Sequence, residues 1–157
     1  MQKCRHAVSV SQPVIFSDNI IVFLDGAAKG NPGPAGIGVI FVRKSGTILR
    51  EISHFIGLKT NNQAEYEALL AALENAKDFT LHNITLRTDS ELIFQQIQGK
   101  YKVRNDRLKK YHSRAIKMMS VMPKAKLELI PRAANRQADR LANQAIKRYL
   151  KAQFSKE

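Results

Sequence analysis

IIVFLDG (residues 20–26) is a run of five apolar residues that stops at an acid and a glycine. It is too short for a buried helix and ends in a turn signal, so it reads as a buried strand. Beyond it, GNPGPAG (30–36) is a Gly/Pro turn cluster. GIGVIFVR (36–43) and TILREISHFIG (47–57), joined by Lys44-Ser45-Gly46, read as an antiparallel hairpin. The period then changes. Residues 62–77 place Ala64, Ala68, Ala71, Ala72, Leu73 and Ala76 on a helix. NITLRTD (83–89) returns to strand and SELIFQQIQ (90–98) to helix, followed by a basic amphipathic helix over Asp106–Ser120 with Leu108, Tyr111, Ile116 and Met119. KLELI (126–130) is a last short strand and Asn135–Leu150 a last helix, with Ala138, Leu141, Ala142, Ala145, Ile146 and Tyr149 inward. The order βββαβααβα predicts an α/β fold, a mixed five-stranded sheet with helices on its faces.

The chain of 157 residues, 44% hydrophobic and 25% charged, suits one globular domain. That domain is expected over 19–152, with a flexible N-terminal tail (1–18) and a short C-terminal tail (153–157). A single cysteine, Cys4, rules out an internal disulfide and makes a cytoplasmic location the default expectation. The first 19 residues lack the apolar stretch and cleavage site of a secretory signal, and no apolar run approaches membrane length. The charge is asymmetric. Residues 1–99 hold 9 Lys+Arg and 9 Asp+Glu, whereas residues 100–157 hold 17 against 4, which is the whole net +13. An excess confined to one third of the chain is the footprint expected for a polyanion.

Four acids stand in unusual settings. Asp25 and Asp89 each end a strand, where ligand sites of open α/β sheets collect. Glu65 shares a helical face with Leu69 and Ala72, and Asp139 with Ala142 and Ile146, so periodicity turns both inward. Each has an ordinary alternative. Asn62–Glu65 could be a capping box, Asp89 a helix N-cap, Asp25-Gly26 a turn, and Asp139 a first-turn acid answering the helix dipole. Together they call for a cation, because inward acids are rarely left unpaired. Hard oxygen ligands select Mg²⁺ or Mn²⁺ over zinc. Two such ions, about 3.5–4 Å apart, serve in-line phosphodiester hydrolysis.

DGAAKGNPGPAGIG (25–38), TNNQAEYEALLAAL (60–73), TDSELIFQQI (88–97) and PRAANRQADRLANQA (131–145) resemble, in order and spacing, the motifs of type 1 ribonuclease H. The resemblance covers roughly residues 20–150. It implies the ribonuclease H-like fold and two-metal cleavage of the RNA strand of RNA–DNA hybrids. Asp25 would bridge both ions, Glu65 and Asp89 would serve the leaving-group ion, and Asp139 the ion at the attacking water. Asn31, Asn62 and Gln95 match positions that contact the hybrid near the scissile phosphate. Thr60 and Asn61 match a pair used for the DNA-strand phosphate and nearby contacts, and Arg132 and Asn135 fall in the substrate-side loop. Reading a hybrid requires sensing 2′-hydroxyls in the minor groove, for which the Gly30–Gly36 turn offers small residues.

The sequence departs from this pattern twice. The loop Pro131–Asn135 carries no histidine, where family members place one; His6, His54, His82 and His112 lie elsewhere. A long Trp-containing basic handle is also missing, and there is no tryptophan. Lys100, Lys102, Arg104, Arg107, Lys109 and Lys110 would supply affinity instead. A monomer acting on the hybrid without an obligate protein partner is the expected form. The rival readings are a non-catalytic hybrid-binding module, a DNA-acting nuclease of the same superfold, and a basic coat protein. The four acids speak against the first, TNNQAEY against the second, and all the motifs against the third.

Replacing Lys100, Lys102 and Lys109 by alanine should weaken hybrid binding and flatten its dependence on log salt, by up to ~0.9 for each phosphate no longer neutralised. Affinity measured across a salt series checks this, and an unchanged slope would mark these lysines as solvated surface.

Overall fold

In β1 (Asn19–Ala28) Ile20, Val22 and Leu24 are buried while Ile21 and Phe23 are half-buried, because the two faces of this strand are covered unequally. The computed structural model describes residues 19–156; the expected N-terminal tail, with Cys4 and His6, lies outside the described residues. After β1 come β2 (Gly33–Arg43), β3 (Ile48–Lys59), α1 (Asn61–Ala76), β4 (Asn83–Thr88), α2 (Glu91–Ile97), α3 (Asp106–Ser120), β5 (Ala125–Leu129) and α4 (Arg136–Phe154). Single 3-10 turns at Lys77–Phe79 and Arg132–Ala134 complete the order. The expected βββαβααβα succession is the observed one.

The sheet order is β3-β2-β1-β4-β5. β1 pairs antiparallel with β2 and parallel with β4, and β4 pairs parallel with β5. α1 packs on β1 and β2 from one side, while α4 packs on β2, β3 and β1 from the other. Both layers thus meet at β2, which is buried along most of its length. The main core lies on the α1 side, with Leu24, Phe41, Tyr66, Leu69, Leu73 and Leu86 fully buried. α3 closes it through Leu108 and Ala115. Among the described residues no helix is long and apolar enough to cross a membrane.

Two boundaries differ from the sequence reading, each for a physical reason. The cluster 30–36 is only partly a turn, since β2 begins at Gly33, and the Lys29 N–H donates to the Pro34 carbonyl at 2.8 Å. Gly36 and Gly38 serve packing instead. A Cβ at Gly38 would collide with the Ala138 carbonyl and the Ala142 nitrogen of α4, and one at Gly36 would meet the Ala142 carbonyl. Gly26 plays the same part on the other face, where a Cβ would strike the Ala64 backbone of α1. The second boundary is the end of α4, which continues to Phe154 rather than stopping at Leu150, so the expected C-terminal tail begins later.

Gly38→Ala should therefore destabilise the protein by about 1–3 kcal/mol, the usual cost of overpacking where backbone cannot yield. A denaturant or thermal melt of the variant checks this; an unchanged midpoint would show that α4 does not rest on β2 this closely.

Candidate active site

Asp25 sits opposite Gly38 in the β1–β2 ladder, one residue before the point where Gly26 meets α1. Because Gly26 lets α1 approach strand backbone, Glu65, which follows Ala64, comes within reach of Asp25. Asp89 follows the last residue of β4, the parallel neighbour of β1. Carboxylate oxygens of Asp25, Glu65 and Asp89 all lie within 4.8 Å of one another. Asp139, in the first turn of α4, lines the same depression of about 290 Å³. Asn143, one turn on, donates its Nδ2 to Asp139 Oδ1 at 3.1 Å and so aims that carboxylate.

Local hydrogen bonds decide between the metal-binding and the ordinary roles of these acids. The capping box of α1 is Thr60 with Gln63: Thr60 Oγ1 accepts from the Gln63 N–H at 3.2 Å, and Gln63 Oε1 from the Thr60 N–H at 2.9 Å. Glu65 is free of that duty. Ser90, not Asp89, caps α2, its Oγ accepting from the Ile93 N–H at 3.3 Å. Asp25-Gly26 lies inside β1 and makes no turn. Only Asp139 keeps its alternative role, as the single acid of the first turn of α4.

Crowding shows in the protonation equilibria. Burial, with the charges of Asp89 and Asp139 adding, pushes the Asp25 carboxyl up to about 7. Glu65 is raised well above the usual range, by burial first and then by the Asp25 charge. Burial also raises Asp89, opposed by a hydrogen bond from Asn135 and by the Arg132 guanidinium. Glu65 Oε2 is buried without a partner. An orphaned buried oxygen among mutually repelling oxygen donors, with no histidine or cysteine in the cluster, is a donor set suited to a hard divalent cation.

A second depression, about 440 Å³, adjoins α1 and brings Asn31, Thr60 and Asn62 beside Arg107 and Asn105. Asn31 Oδ1 accepts from the Asn61 N–H at 3.1 Å, tying the β1–β2 turn to the start of α1. Asn61 itself lines the acid depression. Gln95 is half-buried on α2 with an unpartnered buried Oε1, while its carbonyl accepts from the Lys100 and Tyr101 N–H groups at 2.9 and 3.1 Å. Gln95 thereby anchors the start of the basic segment. Lys100, Lys102, Arg104, Arg107, Lys109 and Lys110 are all exposed, although Lys109 is already bridged to Asp106 at 3.4 Å.

Two loop residues part company. Arg132 is exposed and lines the acid depression. Asn135, expected on the substrate side, is instead 1% exposed, and its Nδ2 donates to the Leu24 carbonyl at 2.9 Å. It is committed to the β1 backbone and cannot meet a ligand from solvent. Among the described residues no histidine lines the acid depression. Two asparagines join the site that sequence reasoning did not single out, Asn105 and Asn143. Asn105 caps α3 by accepting from the Arg107 and Leu108 N–H groups, and an asparagine three places before the first inward leucine was its signal. For Asn143 the signal was its i+4 spacing from Asp139.

A family model described as reverse transcriptase-like matches residues 23–145. Ribonuclease HI of Halobacterium salinarum is 43% identical over 124 residues, which are 79% of this chain and 62% of that protein. This chain therefore spans less than two thirds of that relative's length. LC11-RNase H1, isolated from compost, superposes with a TM-score of 0.80 at 44% identity, covering 84% of this chain and 98% of the other. The same relative in complex with an RNA/DNA hybrid gives a TM-score of 0.79 at 43% identity, covering 83% and 99%. With an acid cluster drawn from β1, α1 and the residue after β4 on a sheet like that of these relatives, the chain belongs to the type 1 ribonuclease H family.

Proposed function

We propose that this protein hydrolyses the RNA strand of RNA–DNA hybrids as a cytoplasmic monomer, leaving 5′-phosphate and 3′-hydroxyl ends. The observation that carries the reading is the meeting of Asp25, Glu65 and Asp89 within 4.8 Å beside an orphaned Glu65 oxygen. Such a set would hold two Mg²⁺ or Mn²⁺ ions, with Asp139 as the fourth ligand group. Bound there, divalent ions would supply water activation and charge stabilisation at the leaving oxygen. Binding of a hybrid by a relative 43% identical supports the substrate class.

The chain's own residues divide the remaining work. Arg132 places a positive charge at the rim beside Asp89, where an entering phosphate meets it before the carboxylates. Asn61 in the acid depression and Asn31 and Asn62 in the adjoining one present short amides suited to reading 2′-hydroxyls and base edges in a shallow minor groove, with Gln95 on α2 as a further candidate contact. Arg107, beside Thr60 and Asn62, offers a charge to a backbone phosphate of the second strand. Asn143 holds Asp139 in place, and Asn135 ties the loop before α4 to the Leu24 carbonyl of β1.

Incubation with labelled hybrid, duplex RNA and duplex DNA, each with EDTA, Mg²⁺ or Mn²⁺, tests the reading. Cleavage of the RNA strand of the hybrid in Mg²⁺ or Mn²⁺ is expected, and undiminished cleavage in excess EDTA would overturn it. Binding without any cleavage would favour the binding-module reading instead.

Asp25→Asn should lower cleavage by about three orders of magnitude or more, since it removes a central charge of the donor set that would hold the ions. Hybrid affinity should persist. The metal-free protein carries a further signature. Asp25 titrates at about 7 when folded and near ~4 when unfolded. Between those values the folded state binds more protons, so stability falls as pH rises through the window. Melts of wild type and Asp25→Asn in EDTA should coincide near pH 4 and diverge toward pH 7.5, with the variant the more stable. Parallel curves, or retained cleavage, would refute the shared-charge role.

A further inference from the structure

α4 carries five basic residues and one acid, Asp139. On a helix of 3.6 residues per turn, Arg136, Arg140, Lys147 and Lys151 fall within about 60° of one another. All four are exposed, opposite the buried Ala138, Leu141, Ala142, Ala145 and Ile146. Among the described residues none of the four forms an ion pair or a side-chain hydrogen bond. The fifth, Arg148, is committed elsewhere, donating from Nη2 to the Ser53 carbonyl at 2.8 Å and hydroxyl at 2.9 Å.

The stripe spans about 22 Å at 1.5 Å per residue. Its first member stands four residues after Arg132, the cation at the rim of the acid depression. It therefore begins at the site of chemistry and leads away along an element other than α3. Gln137 and Gln144 are the other exposed side chains beside it, and no apolar residue is exposed between 136 and 151. A membrane-surface helix would present an apolar face to lipid, whereas the apolar face of α4 is spent on the sheet. Four unpaired cations in line, continuous with a phosphate-handling centre, match a regularly charged backbone.

We propose that Arg136, Arg140, Lys147 and Lys151 form a second backbone track, separate from Lys100–Lys110. It takes the hybrid where the duplex runs past the scissile phosphate on the Arg132 side. This rests on the hybrid reading and extends it to substrate length. At ~3.4 Å per phosphate along a strand, the stripe reaches about six base pairs beyond the cut. Long hybrids gain affinity from it and short ones do not, and only extension in one direction counts.

The test uses the full chain with three hybrids: a short one, and the same one extended by about ten base pairs in either direction. Affinities are measured in EDTA across a salt series for wild type and for a variant carrying Arg136→Gln, Arg140→Gln, Lys147→Gln and Lys151→Gln. Wild type should bind one extended hybrid about tenfold or more tightly than the short one. The variant should lose that gain, with a salt slope smaller by up to ~0.9 for each phosphate left unneutralised, and keep its affinity for the short hybrid. Arg136→Lys with Arg140→Lys should retain the gain, because charge rather than fork geometry is used. An extension gain that survives in the quadruple variant overturns the track, and so does an equal loss on all three hybrids. Wild type is assayed for cleavage of the short hybrid in Mg²⁺ alongside. No cleavage would overturn the hybrid reading and this inference with it; cleavage with an unchanged slope overturns the inference alone.

Discussion

Direct contact between helix and strand backbones at two glycines is what the rest of this molecule depends on. Gly26 admits the Ala64 peptide of α1 on one face of β1, and Gly38 admits the Ala138 and Ala142 peptides of α4 on the face of β2 that lies opposite Asp25. A side chain at either position would hold its helix off by the thickness of a methyl group or more. Glu65 follows Ala64 directly, and Asp139 follows Ala138. The glycines therefore set the separation of three carboxyl groups borne by three different elements. Close packing of this kind converts sequence-distant acids into one site and tolerates little adjustment.

The cost of that site is electrostatic. Asp25 and Glu65 are 5% and 6% exposed, and burial together with the neighbouring charges raises the proton affinity of both. Only Arg132 among the residues lining the depression is basic, so the protein does not neutralise the cluster itself. A fold that sought stability alone would have placed a lysine or an apolar side chain there. Repulsion retained where a cation can relieve it is the local conflict expected of a functional site.

Positive charge is arranged around this centre rather than in it. α3 and its preceding segment lie beside the depression formed by Asn31, Thr60 and Asn62, while α4 carries its own row from the Arg132 side. Two basic tracks flanking an acidic centre would raise the local concentration of a polyanion and let a phosphate meet the acids only where it is held. Only residues 98–105 separate α2 from α3, so the exposed cations of this stretch lie on a short connection and the start of α3 instead of a projecting handle.

Local pattern was enough for much of this. Short apolar runs bounded by turn residues located the strands of the described residues, and period-3.6 spacing located the helices, because each records which faces are buried. The four acids stood out for the same reason, as polar residues on inward faces, and their motifs carried the family. What local pattern left open were choices between neighbours. Whether Thr60 or Asn62 begins α1, and whether Ser90 or Asp89 caps α2, turns on one peptide's rotation, which adjacent candidates satisfy equally well until tertiary packing selects. The glycines of 30–36 read as turn because conformational freedom and absence of a side chain look alike in sequence; only the arrival of α4 shows that at Gly36 the second was needed. Asn135 looked like a surface amide until the fold placed the Leu24 carbonyl within 2.9 Å of it. The sequence by itself thus determined which residues are acidic, which face they take and which elements carry them. Tertiary structure alone decided that Asp25, Glu65 and Asp89 converge within 4.8 Å, because that distance is set by backbone contacts between elements tens of residues apart.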